Sequence, residues 1–136
     1  MKDCNKPIRT AFFNRIIALG YSCYDQVDEK ATSPYCFLYN QSSYEDDTQD
    51  GFGQVAFISV DIYKEYQKNF GGNKDVDAIA DAIMQNILQM PPNQLSVSSF
   101  GVVACTLEGN EVITTTNATH TIFIRTLRFK LIIYEL

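Results

Sequence analysis

The chain has one histidine, four cysteines without a CxxC pair, and no apolar run near the roughly 18 to 20 residues that cross a bilayer. The single His120 excludes metal sites built from several imidazoles. Cys4, Cys23, Cys36 and Cys105 lack the spacing that would complete a zinc site. An even cysteine count does not establish a disulfide framework in a chain long enough to build its own core, so buried or idle thiols are expected. Neither GFG at 51–53 nor GGN at 71–73 carries a P-loop lysine or a dinucleotide fingerprint, and both read as turns. Positive charge is also short. Lys and Arg total 11 against 16 Asp and Glu, a net −5, which argues against a cationic surface able to neutralise nucleic-acid phosphates. Asp3 and Asn14 interrupt the unbroken apolar stretch that a secretion signal needs, so a soluble, non-secreted protein with no membrane partner is expected.

What is present is a folding composition. Hydrophobic residues make up 46% of the 136 and charged residues 20%, without a low-complexity tract or internal repeat. One domain over residues 1–136 is the expectation. KPIRTAFFNRIIALG places Ile8, Ala11, Phe12, Ile16 and Leu19 on one helical face, with Asn5 to cap it, Pro7 in the first turn and Gly20 at the exit. A helix over about residues 7–19 follows. Phe13 and Ile17 extend its apolar surface to a second side, which points to a further layer or a neighbouring subunit.

YSCYDQV (21–27) and YCFLYN (35–40) read as strands joined by a polar loop. QVAFISVDIY alternates Ala56, Ile58, Val60 and Ile62 on a wholly apolar face with Val55, Phe57, Ser59, Asp61 and Tyr63 on a mixed one. That contrast suits a sheet covered by helices on one side and by water, a loop or another chain on the other. After the polar connection KEYQKNFGGNK, Val76, Ile79, Ala80, Ile83, Ile87 and Met90 mark a second helix. Asn73 stands at its start, Asp75 and Asp77 complement its dipole, and Pro91-Pro92 end it. LSVSSFGVVACTLEG suggests a strand to about Gly109, EVITTTNA a strand or extended loop, and THTIFIRTLRFKLIIYEL a long closing strand. Together these give an α+β domain: a mainly antiparallel sheet of five or six strands with two helices packed on it.

The candidate sites yield no catalytic motif. In YEDDTQDG, Asp46, Thr48, Asp50 and Gly51 fall at the first, third, fifth and sixth positions of an EF-hand loop, but the twelfth is Phe57 and the flanks read as strands. A solvated hairpin loop carrying Glu45, Asp46, Asp47 and Asp50 is the better reading, available for contact with a partner. No local motif marks a cysteine as a nucleophile for His120, which reads as a polar residue opening a strand. Arg125, Arg128 and Lys130 with Phe123 and Phe129 form a basic and aromatic cluster, but Arg125 points away from the other two. Ion pairing with the abundant acids, within the chain or across an interface, is favoured over nucleic-acid stacking. The apolar excess on both sides of two strands points to oligomerisation.

A leading helix, YSCYDQV, the strand SPYCFLYN, an acidic loop, QVAFISVDIYKEY, the Gly71-Gly72 break, DVDAIADAIMQNIL and a long closing strand together resemble the tail-terminator or tail-completion proteins of tailed bacteriophages, minor tail proteins of the head-tail joint. The resemblance covers most of the chain. It implies a structural, non-enzymatic virion protein, made in the bacterial host cytoplasm, that works without a cofactor. It further implies a homo-oligomeric ring, a hexamer or alternatively a dodecamer, that caps the tail tube and meets the head connector while double-stranded DNA passes through the lumen. Glu45, Asp46, Asp47, Asp50, Phe13, Ile17, Phe57, Arg125, Arg128 and Lys130 are then the candidate interface or lumen residues. Other readings are a different neck, head-completion or baseplate adaptor ring, a small ligand-binding domain, or a Cys/His120 enzyme.

Overall fold

The computed structural model describes residues 2–25, 31–46, 53–89 and 93–136. Within them the element order is α1 (Asn5–Ala18), β1 (Cys23–Tyr24), β2 (Tyr35–Glu45), β3 (Gly53–Gln67), α2 (Lys74–Ile87), β4 (Phe100–Thr116) and β5 (His120–Glu135). The strands form one five-stranded sheet in the order β1-β2-β3-β5-β4, antiparallel except for the short parallel β1–β2 pair. The α+β architecture expected from the periodicities is present. No helix among the described residues is long and apolar enough to cross a membrane.

Alternation along the strands divides the sheet into two unlike faces. One carries Cys36, Leu38, Ala56, Ile58, Val60, Ile62, Leu127, Phe129, Leu131 and Ile133, all buried. Against it α1 sets Ile8, Ala11, Phe12 and Ile16, and α2 sets Val76, Ile79, Ala80, Ile83 and Ile87. Helix α1 lies over β1 and β2, and α2 over β3 and β5. Phe12 meets Phe129 edge to face at 5.2 Å between ring centres, and each such fully buried side chain stabilises the fold by about 1.5–3 kcal/mol relative to exposure. Buried Gln54 accepts from the Cys4 thiol at 3.1 Å and donates to the Lys2 carbonyl at 2.8 Å, so its amide enters the core paired. Arg15 ties α1 to the far end of α2 by donating to the carbonyls of Asn86 at 3.1 Å and Gln94 at 2.7 Å.

Several boundaries differ from the expectation. Asn5 is the first helical residue and Cys4 occupies the cap position of α1, without a side-chain cap. Asp3 instead accepts from the Asn5 backbone N–H at 3.2 Å. Asn73 does stand at the N-cap of α2, but its side chain does not cap, and its Oδ1 is buried without a partner. Helix α2 ends at Ile87; the expected Pro91-Pro92 stop lies outside the described residues. YSCYDQV contributes only Cys23–Tyr24 as strand, and Gln26 and Val27 also lie outside. KEYQ, expected as a connection, continues β3 to Gln67 because β5 is long enough to pair with it down to Gln67↔His120. Chain reversal comes later, where Gly71 adopts φ +90 and any Cβ would strike the Tyr66 ring. EVITTTNA is not a separate loop. Its residues up to Thr116 are the second half of β4, which absorbs extra residues between Val102 and Ala104 and between Leu107 and Gly109.

Candidate assembly surface

The second face of the sheet has no helix on it among the described residues. Register places its side chains in rows across the strands: Tyr44, Val55, Ile132 and Ala104; then Ser42, Phe57, Lys130 and Thr106; then Tyr39, Ser59, Arg128 and Gly109. Next come Phe37, Asp61, Thr126 and Glu111, followed by Tyr35, Tyr63, Ile124 and Ile113. Aromatic rings dominate the β1–β2–β3 side. Tyr63 stacks on Tyr35 at 4.9 Å, Tyr24 meets Tyr35 edge-on at 5.8 Å, and Phe37 stacks beside Tyr39 at 5.5 Å. Tyrosine suits a surface that is apolar in body and wet at its tip, the composition of interfaces rather than of cores.

Charge on this face is sorted along the strands. Arg128 lies 4.9 Å from the centre of the Phe57 ring and donates to Ser59 Oγ at 3.2 Å and to the Asn40 carbonyl at 3.3 Å. That carbonyl is offered by an irregularity in β2 between Tyr39 and Ser42, where Asn40 takes φ 54. One row further on, Asp61 accepts from Thr126 Oγ1 at 2.6 Å and from the Tyr39 hydroxyl at 3.1 Å. Burial raises the Asp61 pKa above the ordinary carboxylate value and nearby Glu111 adds to the rise, while the two hydrogen bonds oppose it. Burial likewise pushes the hydroxyls of Tyr35, Tyr39 and Tyr63 upward. The tyrosines are uncharged at neutral pH, and Asp61, Glu111, Arg128 and Lys130 supply the face's ionisable groups.

The candidate residues separate into distinct places. Phe57, Arg128 and Lys130 lie together on this face. Arg125 is on the helix side, where its guanidinium pairs with Asp77 of α2 at 2.6 Å and its Nε donates to Asn110 at 2.6 Å, so the ion pairing expected for it is internal. Phe13 and Ile17 stand on the outer side of α1, 40% and 44% exposed. Glu45 and Asp46 are exposed at the end of the β2–β3 hairpin, where the Asp46 N–H donates to the Gly53 carbonyl at 2.9 Å. Strands flank the acidic loop as expected. Asp47 and Asp50 lie outside the described residues. Sequence periodicity missed Glu111 and Ile113 as members of the open face because the irregularities in β4 shift its alternation. Tyr24 and Tyr35 could have been found only from the β1–β2 and β2–β3 registers.

Chemistry centred on cysteine and histidine is not assembled. His120 opens β5, 3.3 Å from Glu65 and 2.7 Å from the Thr119 hydroxyl. Cys105 pairs with Leu131, which at strand rise lies about 36 Å along β5 from His120. Cys36 pairs with Ile62, about 17 Å along β3 from the residue opposite His120. Burial pushes the thiols of Cys23, Cys36 and Cys105 up to about 12, the reverse of an activated nucleophile. The described cysteines are all free thiols, and no cluster of three or more metal-ligating side chains occurs among the described residues.

With that geometry in hand, the arrangement of two helices on one face of a β1-β2-β3-β5-β4 sheet can be placed among known structures. A chain in the structure described as "Virion of native gene transfer agent (GTA) particle" shares the fold with a TM-score of 0.76 at 15% sequence identity. The match covers 98% of this chain and 99% of that one. No family model matches the sequence, and no curated protein matches it.

Proposed function

We propose that the protein is a structural, non-enzymatic component of a tailed virion or phage-like particle, of the tail-terminator or tail-completion type. It assembles as a ring at the head-tail junction, hexameric in the first instance. The ring caps the tail tube and joins it to the head connector while DNA passes through its lumen. The observation that carries this reading is the end-to-end fold likeness to a chain of the gene transfer agent virion, which takes in 98% of this chain and 99% of that one. The open, tyrosine-rich sheet face supports it, because a lone soluble domain rarely leaves such a surface unpartnered. The net charge of −5 fits a lumen along which DNA slides without sticking. The separation of His120 from the cysteines counts against the enzyme reading.

Negative-stain microscopy of the purified protein, alone and mixed with polymerising tail-tube subunits, tests the proposal. Rings of one diameter, and tubes that stop growing with a ring on one end only, are expected. Rings that bind a portal or baseplate and ignore tubes would move the protein to another joint of the particle. A protein that stays monomeric and leaves tube growth unchanged would end the proposal.

A further inference from the structure

We infer that α1 of one copy lies along the uncovered sheet face of the next copy, so that each neighbour supplies the helix layer this face lacks. The inference rests on the ring reading above and names the two surfaces that meet. Helix α1 presents an outer stripe, Lys6, Arg9, Phe13 and Ile17, at the i+3 and i+4 spacing of one helical side. Open grooves of about 550 Å³ and 330 Å³ flank it, the first lined by Thr10, Asn14 and Ser98 among others, the second by Arg9, Phe13 and Asp25, so α1 stands as a ridge.

The order of chemistry along that ridge matches the order along the sheet. Cations precede apolar residues on α1; on the sheet Glu111 and Asp61 precede Tyr63, Ile124 and Ile113. Spacing agrees as well. Phe13 and Ile17 lie about 6 and 12 Å beyond Arg9 at helical rise, and the next two sheet rows, that of Tyr63, Ile124 and Ile113 and that of Glu65, Ile122 and Thr115, lie about 7 and 13 Å beyond Glu111 at strand rise. Ile113, 41% exposed, gives Phe13 an apolar partner, and half-buried Ile122 in the next row gives Ile17 one. The occupant is therefore a second copy of this chain, meeting sheet to helix. Such a contact uses two different surfaces of each subunit, so its repetition builds a ring where the rotation closes and a filament where it does not, whereas sheet-to-sheet pairing would stop at a dimer. Helix on sheet also completes a standard layered packing.

Two exposed substitutions separate the surfaces: Phe13→Asp removes the helix side and Ile113→Asp the sheet side. Native mass spectrometry should find each variant alone monomeric, with its self-association weakened by at least about 30-fold, the loss typical of a central anchor. Mixed in equal amounts they should form a 1:1 heterodimer and nothing larger, because one intact surface remains on each. The charge pair is tested within one chain: Arg9→Glu and Glu111→Lys each weaken assembly, and the double variant restores it. Circular dichroism and melting temperature check that every variant folds. Wild-type-sized rings from both single variants would overturn this contact and leave the ring reading standing. Loss of assembly by Ile113→Asp alone would also overturn it, pointing to sheet-on-sheet pairing. A wild-type chain that is monomeric at all concentrations and on tail tubes would remove both.

Discussion

The two faces of the one sheet are made by the same strands and differ in almost every other respect. On the helix side, β3 and β5 contribute Ala56, Ile58, Val60, Ile62, Leu127, Phe129 and Leu131, buried with hardly a polar atom among them. On the other side, Phe57, Asp61, Tyr63, Ile124, Thr126, Arg128 and Lys130 are half-buried around buried Val55 and Ser59, with Thr126 hydrogen-bonded to Asp61 and Arg128 to Ser59. The first face holds the subunit together. The second is ordered by its own contacts while remaining open, as a surface must be that is to meet a partner without refolding.

Substitutions on the two faces should therefore act on different observables, and the largest effect on stability belongs to the helix side. Phe129→Ala, which leaves a cavity opposite Phe12, should cost about 3–5 kcal/mol in denaturant unfolding. Ile113→Asp, on the open side, should cost less than about 0.5 kcal/mol while abolishing assembly. A comparable stability loss at both positions would erase the distinction.

Next is the response to alkali. Unfolded thiols lose their protons near 9.0, but Cys23, Cys36 and Cys105 hold theirs to about 12 when folded. The folded state binds more protons in that window, so stability should fall steadily from about pH 9 towards pH 12. The same thiols should resist alkylation at neutral pH in the native protein and react on denaturation, read by intact mass. Smaller again is Arg125→Ala, which removes the pair with half-exposed Asp77 and should cost about 1 kcal/mol in thermal unfolding.

Asp61→Asn should act in the opposite direction. The folded Asp61 holds its proton above the unfolded value of 3.8, so its ionised form is disfavoured by folding at neutral pH. The fold loses stability as pH rises through the window just above 3.8. Asparagine should abolish that dependence and raise neutral-pH stability by no more than about 1 kcal/mol, seen in melts across a pH series. Smallest of all, neutralising Asp46, Asp47 and Asp50 to Asn should change stability by less than about 0.5 kcal/mol and alter assembly or DNA passage instead. A calcium-dependent rise in melting temperature would revive the EF-hand reading.

Much of the helix-side face was legible in the sequence because its signals are local. Apolar residues recur at the helical period in α2 and at period two in β3, and the assignment of Arg128 and Lys130 opposite Arg125 followed from counting along β5. The open face was half legible. Alternation marked Phe57 and Asp61 as its members, but Glu111 and Ile113 stand behind the irregularities of β4, and the Tyr24, Tyr35 and Tyr63 cluster exists only through pairing between strands. The caps were only partly legible: Asn5 has a capping residue type but is the first helical residue, with Cys4 at the cap, and Asn73 stands at the cap of α2 without its side chain bonding to a helix N–H. Residue preference records what a position favours, and tertiary contacts decide what it does.

The central claim, that the open face is where one subunit meets the next, is tested most directly by native mass spectrometry of the wild-type chain beside Ile113→Asp over a range of concentrations. One closed oligomer of fixed stoichiometry for the wild type and a folded monomer for the variant are predicted. A wild type that remains monomeric throughout, or a variant that assembles as the wild type does, would contradict it.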